Sequence, residues 1–113
     1  MIKIYKEKIS RLEIDQLLGN PFSDMIKFVI DLKKGTLAMG GELHSDAEAL
    51  LIQNGSSQQD LWGGNFYPGN PKEKQIEFTS MINIRPRQGN RSMEVKIETV
   101  QNQMKTVLGN LLP

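Results

Sequence analysis

Hydrophobic positions change period several times along this chain, and each change marks an element. From Met25 to Leu32 they alternate: Ile26, Phe28, Ile30 and Leu32 share one face, while Lys27 and Asp31 lie on the other with Met25 and Val29. A period of two belongs to a strand. Lys33-Lys34-Gly35 supplies a turn, and Thr36 to Met39 returns as a second strand stopped by Gly40-Gly41. A hairpin is the simplest pairing. Met1 to Lys6 alternates Ile2 and Ile4 with charge and reads as a short strand. Leu61 to Tyr67 reads as a strand carrying Gly63-Gly64, the sign of a bulge or of a close backbone approach. After a polar loop from Gly69 to Gln75, Ile76 to Arg85 reads as a long strand, with Ile76, Phe78, Ile82 and Ile84 on one side and Pro86 ending it.

Three stretches follow the helical period instead. Ser10 to Leu18 opens on a capping box, Ser10 with Glu13, and on a staple of Ile9 with Ile14; Gly19 and Pro21 close it. Ser45 to Asn54 repeats the box spacing with Ser45 and Glu48, buries Ala47, Leu50 and Leu51, and stops at Gly55. From Ser92 to about Leu112 the residues Met93, Ile97, Val100, Met104, Val107 and Leu111 recur at alternating spacings of four and three, one stripe of a helix. The predicted order is β-α-β-β-α-β-β-α. Clean alternation gives each strand one wet face. Three amphipathic helices then cover the other face of a mostly antiparallel sheet, a two-layer α+β sandwich in a single domain over residues 1–113.

Composition narrows the classes of function. In 113 residues, 38% apolar and 24% charged side chains are ordinary globular values, so neither disorder nor a fibre is expected. Fourteen Lys and Arg against thirteen Asp and Glu leave a net charge of +1. That balance does not indicate a nucleic acid or membrane partner, and confines any anion site to a local basic patch. There is no cysteine, which rules out disulfides and thiolate metal sites and suits a reducing cytoplasm. The first residues lack the apolar core of a signal peptide, and no apolar run approaches the ~20 residues of a membrane span.

Three places carry candidate chemistry. Arg85, Arg87 and Arg91 crowd the turn between the last strand and the last helix, with Asn90 within it and Ser92 at the expected helix start. Guanidinium forks beside unpaired helix amides suit phosphate or carboxylate. An anionic small molecule is therefore the leading expected ligand, with Asn83 and Trp62 as secondary contacts. The structural alternative pairs Arg85 with Glu77 or Asp60 and leaves Asn90 and Ser92 as turn and cap. Glu42, His44 and Asp46 alternate before the second helix, and a carboxylate could orient the imidazole as a general base in a small hydrolase or lyase. One histidine without cysteine falls short of a usual zinc set, so no metal and no cofactor is expected. Trp62 beside two glycines could stack a base or fill the core. The apolar stripe of the last helix leaves monomer and homodimer both open. A third class is a protein-interaction adaptor, which would show an exposed apolar patch.

The segments Met39-Gly40-Gly41-Glu42-Leu43-His44-Ser45-Asp46, Asp60 to Pro68 (DLWGGNFYP) and Ser80 to Ser92 (SMINIRPRQGNRS) occur in that order. Together they resemble a family of small bacterial proteins filed as a domain of unknown function, from the first strand to the start of the last helix. The resemblance implies a mixed helix-and-sheet fold and a bacterial source. It implies no activity and no catalytic residue.

Overall fold

The computed structural model describes residues 1–113. Its elements are β1 (Ile2–Tyr5), α1 (Arg11–Leu17), β2 (Ile26–Asp31), β3 (Thr36–Gly40), α2 (His44–Gln53), β4 (Leu61–Phe66), β5 (Ile76–Glu77) and α3 (Glu98–Leu111), with short 3-10 turns between them. The five strands form one antiparallel sheet in the order β1-β3-β2-β4-β5. The chain is α+β, and its elements follow closely the order that the periodicities predict.

Local signals account for the first half. At α1 the box forms: Ser10 Oγ accepts from the Glu13 amide and Glu13 Oε1 accepts from the Ser10 amide, both at 3.2 Å. The β2–β3 turn is built on Asp31, whose Oδ1 accepts from the Lys33 and Lys34 amides at 2.9 Å each. Gly35 sits there at φ 66°, in the left-handed region that a side chain disfavours. Asp31 Oδ2 also accepts from Ser56 Oγ at 2.6 Å, so this buried carboxylate ties the hairpin to the loop after α2.

The layering differs from the expectation. Ile26, Phe28 and Ile30 of β2 meet Leu37, Met39, Trp62 and Phe66 in one core, beneath α1 and α3. Val29, Ala38 and Leu61 point the other way and pack against Ala47 and Leu51 of α2. The sheet is thus covered on both faces over its centre, with α2 opposite α1 and α3. The polar positions of β2 misled the prediction: Asp31 is buried as the turn anchor and Lys27 is half-buried near the end of the strand.

Two boundaries move for one reason. The strand expected over Ile76–Arg85 leaves the ladder after Glu77, and the helix expected from Ser92 begins only at Glu98. Asn83 takes the free edge of β4 in place of a strand. Its Oδ1 accepts from the Gly63 amide (2.9 Å), while Nδ2 donates to the Gly63 carbonyl (2.9 Å) and the Met93 carbonyl (3.0 Å). A side-chain amide carries the same donor and acceptor as a peptide. Gly63 admits this approach, because a Cβ there would stand 2.9 Å from Ser80 Cβ. The segment before α3 is then held extended, with the Val95 amide donating to Phe78 O (2.9 Å) and the Ser80 amide to Met93 O (3.0 Å). At α2 the cap position belongs to Leu43, and the Ser45–Glu48 box does not form. No helix is long and apolar enough to cross a membrane.

Candidate functional site

The arginine turn comes first because its residues are the densest. Arg85 is spent on structure. Its Nη2 lies 3.2 Å from Glu48 Oε2, Nε donates to the Ile82 carbonyl (2.9 Å), Nη1 donates to the Gln58 carbonyl (2.8 Å), and the guanidinium lies 4.8 Å from the Trp62 ring centroid. Burial pushes its pKa down and Glu48 opposes that push. The partner is neither Glu77 nor Asp60. Asn90 is fully buried; its Nδ2 faces the carbonyls of Asn83 (2.8 Å), Ser92 (2.9 Å) and Glu94 (3.1 Å), and its Oδ1 accepts from the Lys96 amide (2.9 Å). Ser92 Oγ accepts from the Glu94 amide at 3.1 Å, inside a turn and not at a helix start. The converging amides that would have held an anion are therefore absent at Ser92. Arg87 and Arg91 are exposed and make no ion pair. Arg87 borders a recess of about 410 Å³ with Gln58, Arg85, Pro86 and Gln88. Trp62 belongs to the core beneath α1 and α3 and offers no open stacking face on that side; Asn83 is the clamp on β4.

The acid–histidine constellation is also divided. His44 is the first residue of α2, and its Nε2 lies 2.7 Å from the Gly64 carbonyl. A carbonyl only accepts, so Nε2 carries the hydrogen and a neutral ring keeps its lone pair on Nδ1. Burial lowers the His44 pKa; the Gly64 carbonyl pushes it up, Lys27 pushes it down, and the Asn65 amide pushes it up. The lowered pKa favours the uncharged ring at neutral pH. Neither Glu42 nor Asp46 bonds to it. Both line a separate depression with Met1, Ile2 and Asn20. No group of three or more His, Asp or Glu side chains comes together in the way a metal would require.

What His44 does border is a cleft of about 430 Å³ between the start of α2, the end of β4 and the 3-10 turn at Met81–Asn83. Met25, Leu43, Met81, Ile82 and Met93 line it, with Lys27, His44, Ser45, Asn65, Thr79 and Ser80 as polar members. Leu43 is 55% exposed, Met81 73% and Met93 43%, values high enough to make this an apolar surface open to solvent. Asn65 is held from one end: its Nδ2 donates to Glu77 Oε1 (3.1 Å) and to the Thr79 carbonyl (3.4 Å). Its Oδ1 is buried and has no partner. A buried acceptor without a partner costs about 1–3 kcal/mol relative to a paired one, and such groups call for an explanation.

The sequence pattern did not point to Asn65, nor to the three methionines. The one available signal was the Gly63-Gly64 pair. It marks a close backbone approach, and it sets Asn65 one residue beyond the carbonyl that His44 engages. Methionine at scattered positions is indistinguishable from core until its neighbours are known.

A family model described as Protein of unknown function (DUF5674) matches residues 3–111. The chain belongs to that family, and the match continues through α3, past the Ser92 limit of the sequence resemblance. No curated protein and no solved structure matches the chain.

Proposed function

We propose that this member of the family is a binding module, not a hydrolase or lyase, and that its ligand seats in the cleft between His44 and Asn65. The reading rests on one observation: the buried Asn65 Oδ1 accepts no hydrogen bond, although the His44 ring lies beside it, because the Nε2 hydrogen of that ring is held by the Gly64 carbonyl at 2.7 Å. A ligand that brings an N–H or O–H to this oxygen removes a penalty the free protein carries. The surrounding Met25, Met81 and Met93 side chains are unbranched and polarisable, suited to an apolar body of variable shape. The volume of about 430 Å³ falls within the range of small-ligand sites. The ligand class is an apolar ring or chain bearing a hydrogen-bond donor. Separation of His44 from Glu42 and Asp46 is what counts against catalysis.

Methyl-labelled methionine resonances test this. Titration with indole should shift Met25, Met81 and Met93 saturably, leave the buried Met39 and Met104 in place, and weaken on Asn65→Ala. Uniform drift of all methionine signals, or toluene binding as tightly as indole, would remove the proposal.

A second reading keeps an anion at the Arg85–Gln88 turn, favoured by the unpaired Arg87 guanidinium beside its recess. Titration with inorganic phosphate, compared between the wild type and Arg87→Ala, decides it. Both readings take the chain as a cytoplasmic monomer or homodimer.

A further inference from the structure

A second opening lies between the C-terminal turns of α3 and the short strand β5. It encloses about 580 Å³. Lys105, Leu108 and Gly109 stand at i, i+3 and i+4 and so share one side of the helix, and Leu112 follows at its C-cap. Opposite them are Ile76 and Phe78, half-buried residues at the point where the chain leaves the sheet. Gly109 widens the gap: a Cβ there meets nothing within 4 Å. The floor is therefore apolar and only partly covered.

The rim is cationic. Lys8 comes from the segment before α1, which is tied to the helix end by the Ile9 amide donating to the Leu111 carbonyl (2.7 Å). Lys72 comes from the 3-10 turn before β5, and Lys105 from α3, its Nζ 5.8 Å from the Phe78 ring centroid. None of the three makes an ion pair; Glu73 is the one acidic side chain among the lining residues. Three ammonium groups from three separate segments face one apolar groove in a chain whose net charge is only +1. Three cations against one carboxylate leave the rim net positive, and such an excess around a low-dielectric recess draws a counter-charge to it.

We infer that this groove binds an anionic amphiphile, an apolar chain or ring ending in a carboxylate or phosphate. The apolar part lies on Phe78, Ile76 and Leu108, and the anionic end meets the lysines. The site is independent of the His44 cleft and shares no residue with it. The bounded volume fits a free small molecule, and the alternative source of the same chemistry, a lipid in a membrane, is separable by experiment.

The test is calorimetric titration and thermal shift with octanoate, octanol and octylamine. Octanoate should bind and raise the melting temperature, octanol should bind more weakly, and octylamine should not bind. The Lys8→Glu/Lys72→Glu/Lys105→Glu triple variant alters exposed side chains only. It should keep its ligand-free melting temperature and lose octanoate affinity by about tenfold or more. Gly109→Leu fills the groove from the helix side and suits a helix better than glycine; it should abolish binding while the fold persists. The methionine methyl signals of the His44 cleft should not respond to octanoate, so failure here and failure of the cleft proposal are distinct. Octanol binding as tightly as octanoate, an unchanged affinity in the triple variant, or binding seen only with phosphatidylglycerol vesicles would each overturn the inference.

Discussion

The loop from Asn83 to Asn90 and the cleft at His44 are both built from polar side chains brought against β4, yet their hydrogen bonds are allotted differently. In the loop, Asn83 and Asn90 use both ends of their amides, and Arg85 has a carboxylate, two carbonyls and an aromatic face. In the cleft, Asn65 uses its nitrogen and leaves its oxygen without a donor, beside exposed methionine and leucine. Residues that look alike in sequence can thus serve opposite ends. A fully paired network holds a chain path that has no sheet to hold it, whereas an unpaired buried acceptor stores a cost that a partner can relieve.

The contrast breaks most visibly at Asn83. Asn83→Ala strips partners from the Gly63 amide and carbonyl and from the Met93 carbonyl. It should lower unfolding free energy by about 3 kcal/mol, read from urea denaturation. A loss smaller than that of Asn65→Ala would refute the assignment of the loop to structure. Arg85→Met should follow, at about 2 kcal/mol, because Glu48 is left partly buried without its cation. Adding Glu48→Leu should restore most of that loss; strict additivity of the two changes would show that the pair does not couple.

Asn65→Ala should cost only about 1 kcal/mol, since its oxygen forfeits nothing and its nitrogen gives up two long bonds. The pH response of His44 should be smaller still. Its folded pKa lies below the ordinary 6.5, so the unfolded chain takes up the proton first. Stability is unaffected by this group above about pH 6.5. It falls as the pH drops from there towards the lower folded value, and His44→Gln should flatten that acid limb. Equal slopes for the two proteins between pH 7.5 and 5 would contradict the buried, uncharged ring.

Much of the fold was legible because its signals are local. The Ser10–Glu13 box, the Lys33-Lys34-Gly35 turn and the alternation of Ile26, Phe28 and Ile30 lie within a few residues of the structures they produce. The stripe from Ile97 to Leu111 was also read correctly, though its start was placed too early. The site was less legible. Arg85, Asn90, Ser92 and His44 stood out by residue type, but type alone does not say whether a polar atom is already bonded. His44 stands out without its real neighbours, Gly64 and Asn65, and the sequence pattern puts Met93 in the stripe of the last helix, whereas it lies before that helix and is exposed.

By itself the sequence determined the α+β class, the β2–β3 hairpin, the two amphipathic helices that flank the chain and the family to which it belongs. Tertiary structure alone decided that α2 crosses to the far face, that the chain quits the sheet at Glu77, and which acceptor stays unpaired. The physical reason is range. Periodicity and capping act over one or two turns, whereas the Asn83 clamp on Gly63 joins positions twenty apart and the Arg85–Glu48 pair positions thirty-seven apart. Such contacts arise only after the core has set the distances between them.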